Sequence, residues 1–183
     1  VNSYSAEAEI DMSSATDLSA SETANCYLVS EPGTYKFKAV KGNSDKLLED
    51  LEYCEILWES FGSDVAPERR ELIRGFRHED GYIAFQTSET FKEGNAVIAA
   101  RNGEGKILWS WHIWMTDIPQ EQVYYNNAGT MMDRNLGATS ATPGDAGALG
   151  LLYQWGRKDP FLGSSAVNKH EGVVAKSTIT WPS

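Results

Sequence analysis

Five groups of side chains in this chain have the types and spacing to do chemistry. His112 and Trp114 sit two residues apart in LWSWHIWM, so on an extended strand they share a face, where an indole beside an imidazole can stack on a sugar ring or seat a partner. Asp133, Asn135, Asp145 and Asp159 flank a glycine-rich loop and could offer oxygens to calcium, but their spacing matches no EF-hand and Asp and Asn are ordinary turn formers. Tyr153, Trp155, Arg157 and Asp159 alternate, so aromatic and charged groups can converge in a pocket, or the aromatics can pack inward while Arg157 pairs with Asp159 or Asp133. Cys26 and Cys54 cannot make a metal site alone. They read either as two small buried hydrophobes in neighbouring strands or as a single bridge in an oxidising compartment. Glu59 and Asp117 could in principle act as a glycosidase pair, in a chain where acids are plentiful.

None of these groups makes a catalytic constellation. No GxSxG elbow is present, neither cysteine has a local basic neighbourhood, and the glycines of Gly144–Gly150 lack the Lys and Ser or Thr of a phosphate cradle. The expectation is a protein without catalytic residues, metal or cofactor.

The elements that must position these side chains are mostly strands. In Asn95 to Asp117 (NAVIAARNGEGKILWSWHIWMTD) two apolar runs flank Asn102-Gly103, which predicts a two-residue type I′ hairpin. That register sets Arg101 opposite Glu104, Ile98 opposite Ile107 and Ala96 opposite Trp109. Ile107, Trp109, Trp111, Ile113 and Met115 then share one face over the small Ala96, Ile98 and Ala100, leaving Leu108, Ser110, His112 and Trp114 on the other, to be bare or covered by a second layer. NCYLVS and TYKFKAV, joined by Glu31-Pro32-Gly33-Thr34, read as a hairpin; CEILWES reads as a strand. Leu72–Arg77 and Tyr82–Thr87 read as a second hairpin around Asp80-Gly81. About seven strands at regular spacing predict an immunoglobulin-like β-sandwich over residues 21–118.

Residues 1–20 carry Ser, Ala, Thr and acids without period and are expected to be a flexible leader or linker. Residues 119–183 change texture. A small hairpin is expected from Gln122–Tyr125 and Thr130–Arg134, then a short helical turn at Ala148–Tyr153, in a smaller, irregular α+β lobe that is incomplete or leans on the sandwich.

The chain has 183 residues, 41% of them hydrophobic, enough for a real core. Its net charge of -10 repels nucleic acid and anionic membranes alike, and no apolar run is long enough to span a bilayer.

Three stretches together resemble a family of Bacteroidetes surface and fimbrial proteins: TANCYLVSEPGTYKFKAVKGN, GNAVIAARNGEGKILWSWHIWMTD and GTMMDRNLGATSATPGDAGALGLLYQWGRKDPF. The first two look like the sandwich module of fimbrillin-like, tip-type proteins. The third resembles the start of the "major paralogous", lectin-like modules downstream in such proteins. The resemblance implies export to the cell surface or outer membrane and a structural or adhesive role, with other fimbrial subunits or host and microbial glycans as partners. It supplies no catalytic residue. On the bound-glycan reading, His112, Trp114, Asp133, Trp155 and Arg157 are the candidate ligand-binding residues.

Overall fold

The computed structural model describes residues 5, 6, 8–63 and 65–162. The chain is mainly β, and among the described residues its helical content is limited to two 3-10 turns, at Tyr125–Asn127 and Ala146–Leu149. All seven sandwich strands expected from the periodicity form. They are β2 (Cys26–Val29), β3 (Thr34–Lys38), β4 (Tyr53–Ser60), β5 (Ile73–Glu79), β6 (Tyr82–Thr87), β7 (Gly94–Arg101) and β8 (Ile107–Met115), preceded by a short β1 (Thr16–Asp17).

Two four-stranded sheets result, ordered β1-β3-β6-β5 and β2-β8-β7-β4. Their inner faces share one apolar cluster: Phe37, Phe76 and Phe85 from the first meet Tyr27, Ile56, Ile98 and Trp111 from the second. Tyr27 stacks on Phe37 at 4.9 Å between ring centroids, and Phe37 lies 5.2 Å from Trp111. This large-against-small packing is the one the sequence period predicts, because β7 offers only Ala96, Ile98 and Ala100 beneath the bulky side of β8.

The β7–β8 pairing itself differs from expectation. Ala96 faces Ile113 and Ile98 faces Trp111, four residues along β8 from the register a two-residue loop would give. The turn is a three-residue loop, Gly103–Gly105. The Asn102 amide donates to the Lys106 carbonyl at 3.1 Å, the Gly105 amide donates to the Asn102 carbonyl at 2.9 Å, and Gly105 takes the positive φ of +80°. Asn102 uses its Oδ1 to accept from the Lys106 amide instead of adopting a left-handed backbone. Because the shift is even, both faces keep their residues.

Asp80-Gly81 is the two-residue turn expected between β5 and β6, with φ of +50° and +79°. The expected hairpin of β2 and β3 does not form. β2 pairs in parallel with β8, whereas β3 pairs with β6 in the other sheet. The Pro32-Gly33 turn reverses the chain but carries no information about which sheet receives each arm. Tyr27 and Phe37 meet face to face across the core instead of side by side.

Of residues 1–20, expected as a flexible leader or linker, the described part is packed against the sandwich. The Ala8 amide donates to the Phe76 carbonyl at 3.0 Å, the Phe76 amide to Ala6 at 2.9 Å, and β1 runs parallel to β3, while Ala6, Ile10 and Ala15 are buried. Small side chains and backbone bonds hold this strap, so it leaves no apolar period to read. Gly75 makes room for it, since a Cβ there would lie 2.4 Å from that of Ala8.

Beyond the sandwich, β9 (Glu121–Val123) and β10 (Thr130–Met132) form the small hairpin expected, with every residue of both strands exposed. The helical turn lies at Ala146–Leu149, two residues before its expected place, capped by Asp145, whose Oδ1 accepts from the Gly147 amide at 2.9 Å. The α+β expectation for this lobe is corrected to that extent: its described part holds a hairpin and 3-10 turns. The expectations for residues 163–183 lie outside the described residues.

Candidate functional site

β8 carries its two faces into different surroundings. Trp111, Ile113 and Met115 enter the shared core; Ser110, His112 and Trp114 face the other way and are also buried, because residues 135–161 lie across this side of the sheet. The Trp114 indole N–H donates to the Ala138 carbonyl at 2.9 Å, and Asn95 Nδ2 donates to the Gly137 carbonyl at 2.9 Å. Asp159 accepts from Ser110 Oγ at 2.9 Å and 3.0 Å, and Lys158 reaches the Ser110 carbonyl at 2.9 Å while lying over the Trp109 ring. The polar groups of this layer are thus paired between strand and cover, as burial demands.

Within the layer lies a chain of three side chains from three strands. Cys26 Sγ on β2 is 3.2 Å from His112 Nδ1 on β8, and His112 Nε2 is 2.8 Å from Asn95 Oδ1 on β7. The tautomer follows from the partners. The Gly137 carbonyl can only accept, so the Asn95 amide nitrogen faces it and the Asn95 oxygen faces His112. Nε2 therefore carries the proton, and the bare Nδ1 accepts from the Cys26 thiol. Trp58 flanks the imidazole at 6.4 Å.

Burial governs the electrostatics of this trio. Desolvation lowers His112 to about 4, opposed by the nearby Asp159 carboxylate, and raises the Cys26 thiol to about 12. Both groups are neutral at pH 7. Burial also pushes the Tyr153 phenol up, and the neighbouring Cys26 adds to that shift.

The sequence-predicted site residues do not come together. His112 and Trp114 share the covered face of β8. Asp133 accepts from Arg134 Nε at 2.8 Å, and the same guanidinium reaches Asp117 and Thr116, tying the start of the C-terminal segment to the end of β8. These bonds hold the Asp117 and Asp133 carboxyls below the usual carboxylate range and raise Arg134. Arg157 pairs with neither expected carboxylate. It donates to the Asp159 carbonyl at 3.2 Å and lies 4.1 Å over the Phe161 ring. Trp155, expected to pack inward, is 100% exposed because it follows the tight Leu152–Phe161 bridge at the tip of its loop.

Cys26 and Cys54 are not on neighbouring strands. β2 and β4 are opposite edges of one sheet, separated by β8 and β7. Cys26 faces His112 on the outer side while Cys54 belongs to the core, so no bridge joins them. Of the calcium candidates, Asp133, Asn135, Asp145 and Asp159 each serve a separate protein partner, and no cluster of three metal-ligating groups occurs among the described residues. Glu59 and Asp117 are likewise engaged apart, Glu59 buried and accepting from the Ile73 amide at 3.0 Å and Asp117 bound to Arg134.

The Cys26–His112–Asn95 trio escapes sequence reasoning because its members are brought together by a parallel pairing that no local turn announces. One signal was present: Asn95 is a polar residue leading into the apolar run Ala96 to Ala100, and a buried amide needs a partner. No family profile, curated protein or solved structure matches the chain. No helix among the described residues is long and apolar enough to cross a membrane.

Proposed function

We propose that this chain is a non-catalytic structural or adhesive protein of an exported, cell-surface or fimbrial kind, similar to the fimbrillin-like proteins of Bacteroidetes. The observation that carries the reading is the β9–β10 hairpin. It stands out with every strand residue exposed and presents Val123, Tyr124, Tyr125, Met131 and Met132 to solvent. Scattered apolar residues are normal on a surface, but this many exposed large apolar side chains on one short hairpin, rich in Tyr and Met, have the composition of a protein-binding surface. The two sheets sharing one core support an immunoglobulin-like sandwich as the platform beneath it.

Sedimentation velocity over a range of concentrations tests the proposal. Self-association or capture of a fimbrial subunit, abolished by Tyr125→Ser with Met131→Ser, is the expected result; a monomer at all concentrations that also ignores surface subunits rejects it.

A second reading rests on a separate observation. Trp155 exposes its whole side chain, with Arg157 two residues away, which is the kind of platform a lectin-like module stacks on a sugar. Sugar-dependent binding on a glycan array, lost in Trp155→Ala, selects this reading over the subunit one.

A further inference from the structure

We propose that Asn102 is a site of covalent self-modification, at which water converts the side-chain amide to a carboxylate through a cyclic imide closed on the Gly103 nitrogen. The reaction needs an asparagine whose following backbone nitrogen can reach the side-chain carbonyl carbon, and glycine alone follows without a Cβ to obstruct that approach. Asn102-Gly103 is the one Asn-Gly pair in the sequence. It opens the loop between β7 and β8, where Gly103 is exposed and a Cβ built on it would meet nothing within 4 Å.

The bonds of the loop leave the reacting atoms available. The Asn102 backbone is held at both groups, its amide donating to the Lys106 carbonyl and its carbonyl accepting from the Gly105 amide. Its Oδ1 accepts from the Lys106 amide at 2.9 Å, a donor aimed at the oxygen on which negative charge gathers when the carbonyl carbon is attacked. Among the described residues, neither the Gly103 N–H that attacks nor the Asn102 Nδ2 group that departs has a hydrogen-bond partner. The other described asparagines lack this combination. Asn95 is buried with both amide atoms bonded, and Asn25 and Asn135 are engaged with Trp109 and with the Ala148 and Leu149 carbonyls. The exposed Asn43, Asn126 and Asn127 are followed by Ser44, Asn127 and Ala128, whose side chains crowd the attacking nitrogen.

The step balances with water as the only co-reactant. Hydroxide takes the Gly103 amide proton and the nitrogen attacks Asn102 Cγ. An N–C bond forms, the Cγ–Nδ2 bond breaks, and the departing nitrogen takes a proton from water to leave as ammonia, which restores the hydroxide. Water then adds to either carbonyl of the imide and opens it to aspartate or isoaspartate. Nothing is oxidised or reduced. Either product adds a carboxylate to a chain already at a net charge of -10. Aspartate keeps the bond to the Lys106 amide and strengthens it with a charge, whereas isoaspartate lengthens the main chain inside the hydrogen-bonded loop.

The test is incubation of the folded protein between pH 6 and 9, followed by peptide mapping that resolves asparagine, aspartate and isoaspartate forms. Conversion at Asn102 ahead of Asn43, Asn126 and Asn127 is expected, with a rate rising by up to about tenfold per pH unit because an amide proton must be removed. Conversion no faster than at those three, or confined to the urea-unfolded chain, overturns the proposal. Gly103→Ala should slow the reaction at Asn102 at least about tenfold, since the added Cβ shields the nitrogen. The space around position 103 is open and its φ is not left-handed, so this variant keeps the fold. An undiminished rate in Gly103→Ala would assign the conversion to direct hydrolysis and reject the imide route.

Discussion

The Trp114 indole nitrogen lies 2.9 Å from the Ala138 carbonyl, a bond that joins the outer face of β8 to the segment lying across it. With Asn95 bound to the neighbouring Gly137 carbonyl, this makes residues 137–138 a fixed cover over one sheet. Removing the N–H while keeping an aromatic ring isolates the bond: Trp114→Phe should cost about 1–2 kcal/mol, because a buried carbonyl loses its donor. Urea denaturation checks the value, and an unchanged midpoint would show that the cover is not held this way.

Cleavage by a protease should report the same arrangement. Residues 141–146 are mostly exposed, whereas residues 137–138 are anchored, so limited proteolysis should nick the loop near Thr142–Asp145 before it reaches the strands. A first cut within residues 26–115 would contradict this order.

Two tryptophans that share a face by period should differ in worth. Trp111 is fully buried in the shared core, while Trp109 is only partly buried, its indole bonded to Asn25 at 2.9 Å and its ring beneath Lys158. Trp111→Ala should cost roughly 3–5 kcal/mol and Trp109→Ala about half of that. Equal losses would mean that Trp109 sits deeper than its contacts indicate.

This contrast also marks how far the residues themselves led. Period-two alternation placed Trp111 and Ile113 toward the core and His112 and Trp114 away from it, because each fact concerns a single strand. Asp80-Gly81 announced its hairpin for the same local reason. What lay out of reach depends on partners distant in the chain: β2 joining β8 in parallel, which sets Cys26 beside His112, and the backbone of Ala6 and Ala8 bonding to Phe76 on β5. The loop beyond β7 misled because Asn102-Gly103 is a strong turn signal that the Gly105 left-handed position outcompetes.

Substituting Gly75 tests the strap directly. An added Cβ would stand 2.4 Å from the Ala8 Cβ and 3.1 Å from the Ala6 carbonyl oxygen, so backbone must move. Gly75→Ala should destabilise by about 1–3 kcal/mol, the usual range for overpacking, with hydrogen exchange rising first at Ala8. Unchanged protection of the Ala8 amide would show that Ala6 and Ala8 do not rest on β5.

The buried imidazole should shape stability against pH. His112 titrates near 6.5 when the chain is unfolded and near 4 when folded, because burial disfavours the charged ring. Between those values the unfolded state binds the extra proton, so stability is fully present above about 6.5 and declines as pH falls toward 4. The decline should reach roughly 2–3 kcal/mol between pH 7.5 and 4.5, from a shift of that size at about 1.4 kcal/mol per unit. Cys26 acts at the opposite end. Its thiol is raised from 9.0 to about 12, so the folded state holds a proton that the unfolded state releases, and stability falls as pH rises from about 9 toward 12. Urea midpoints measured from pH 4.5 to 10 should therefore form a plateau between about 6.5 and 9. In His112→Gln the decline between pH 6.5 and 4.5 should flatten while the alkaline one stays. A variant that loses stability on acidification as steeply as the wild type would assign the acid limb to another group.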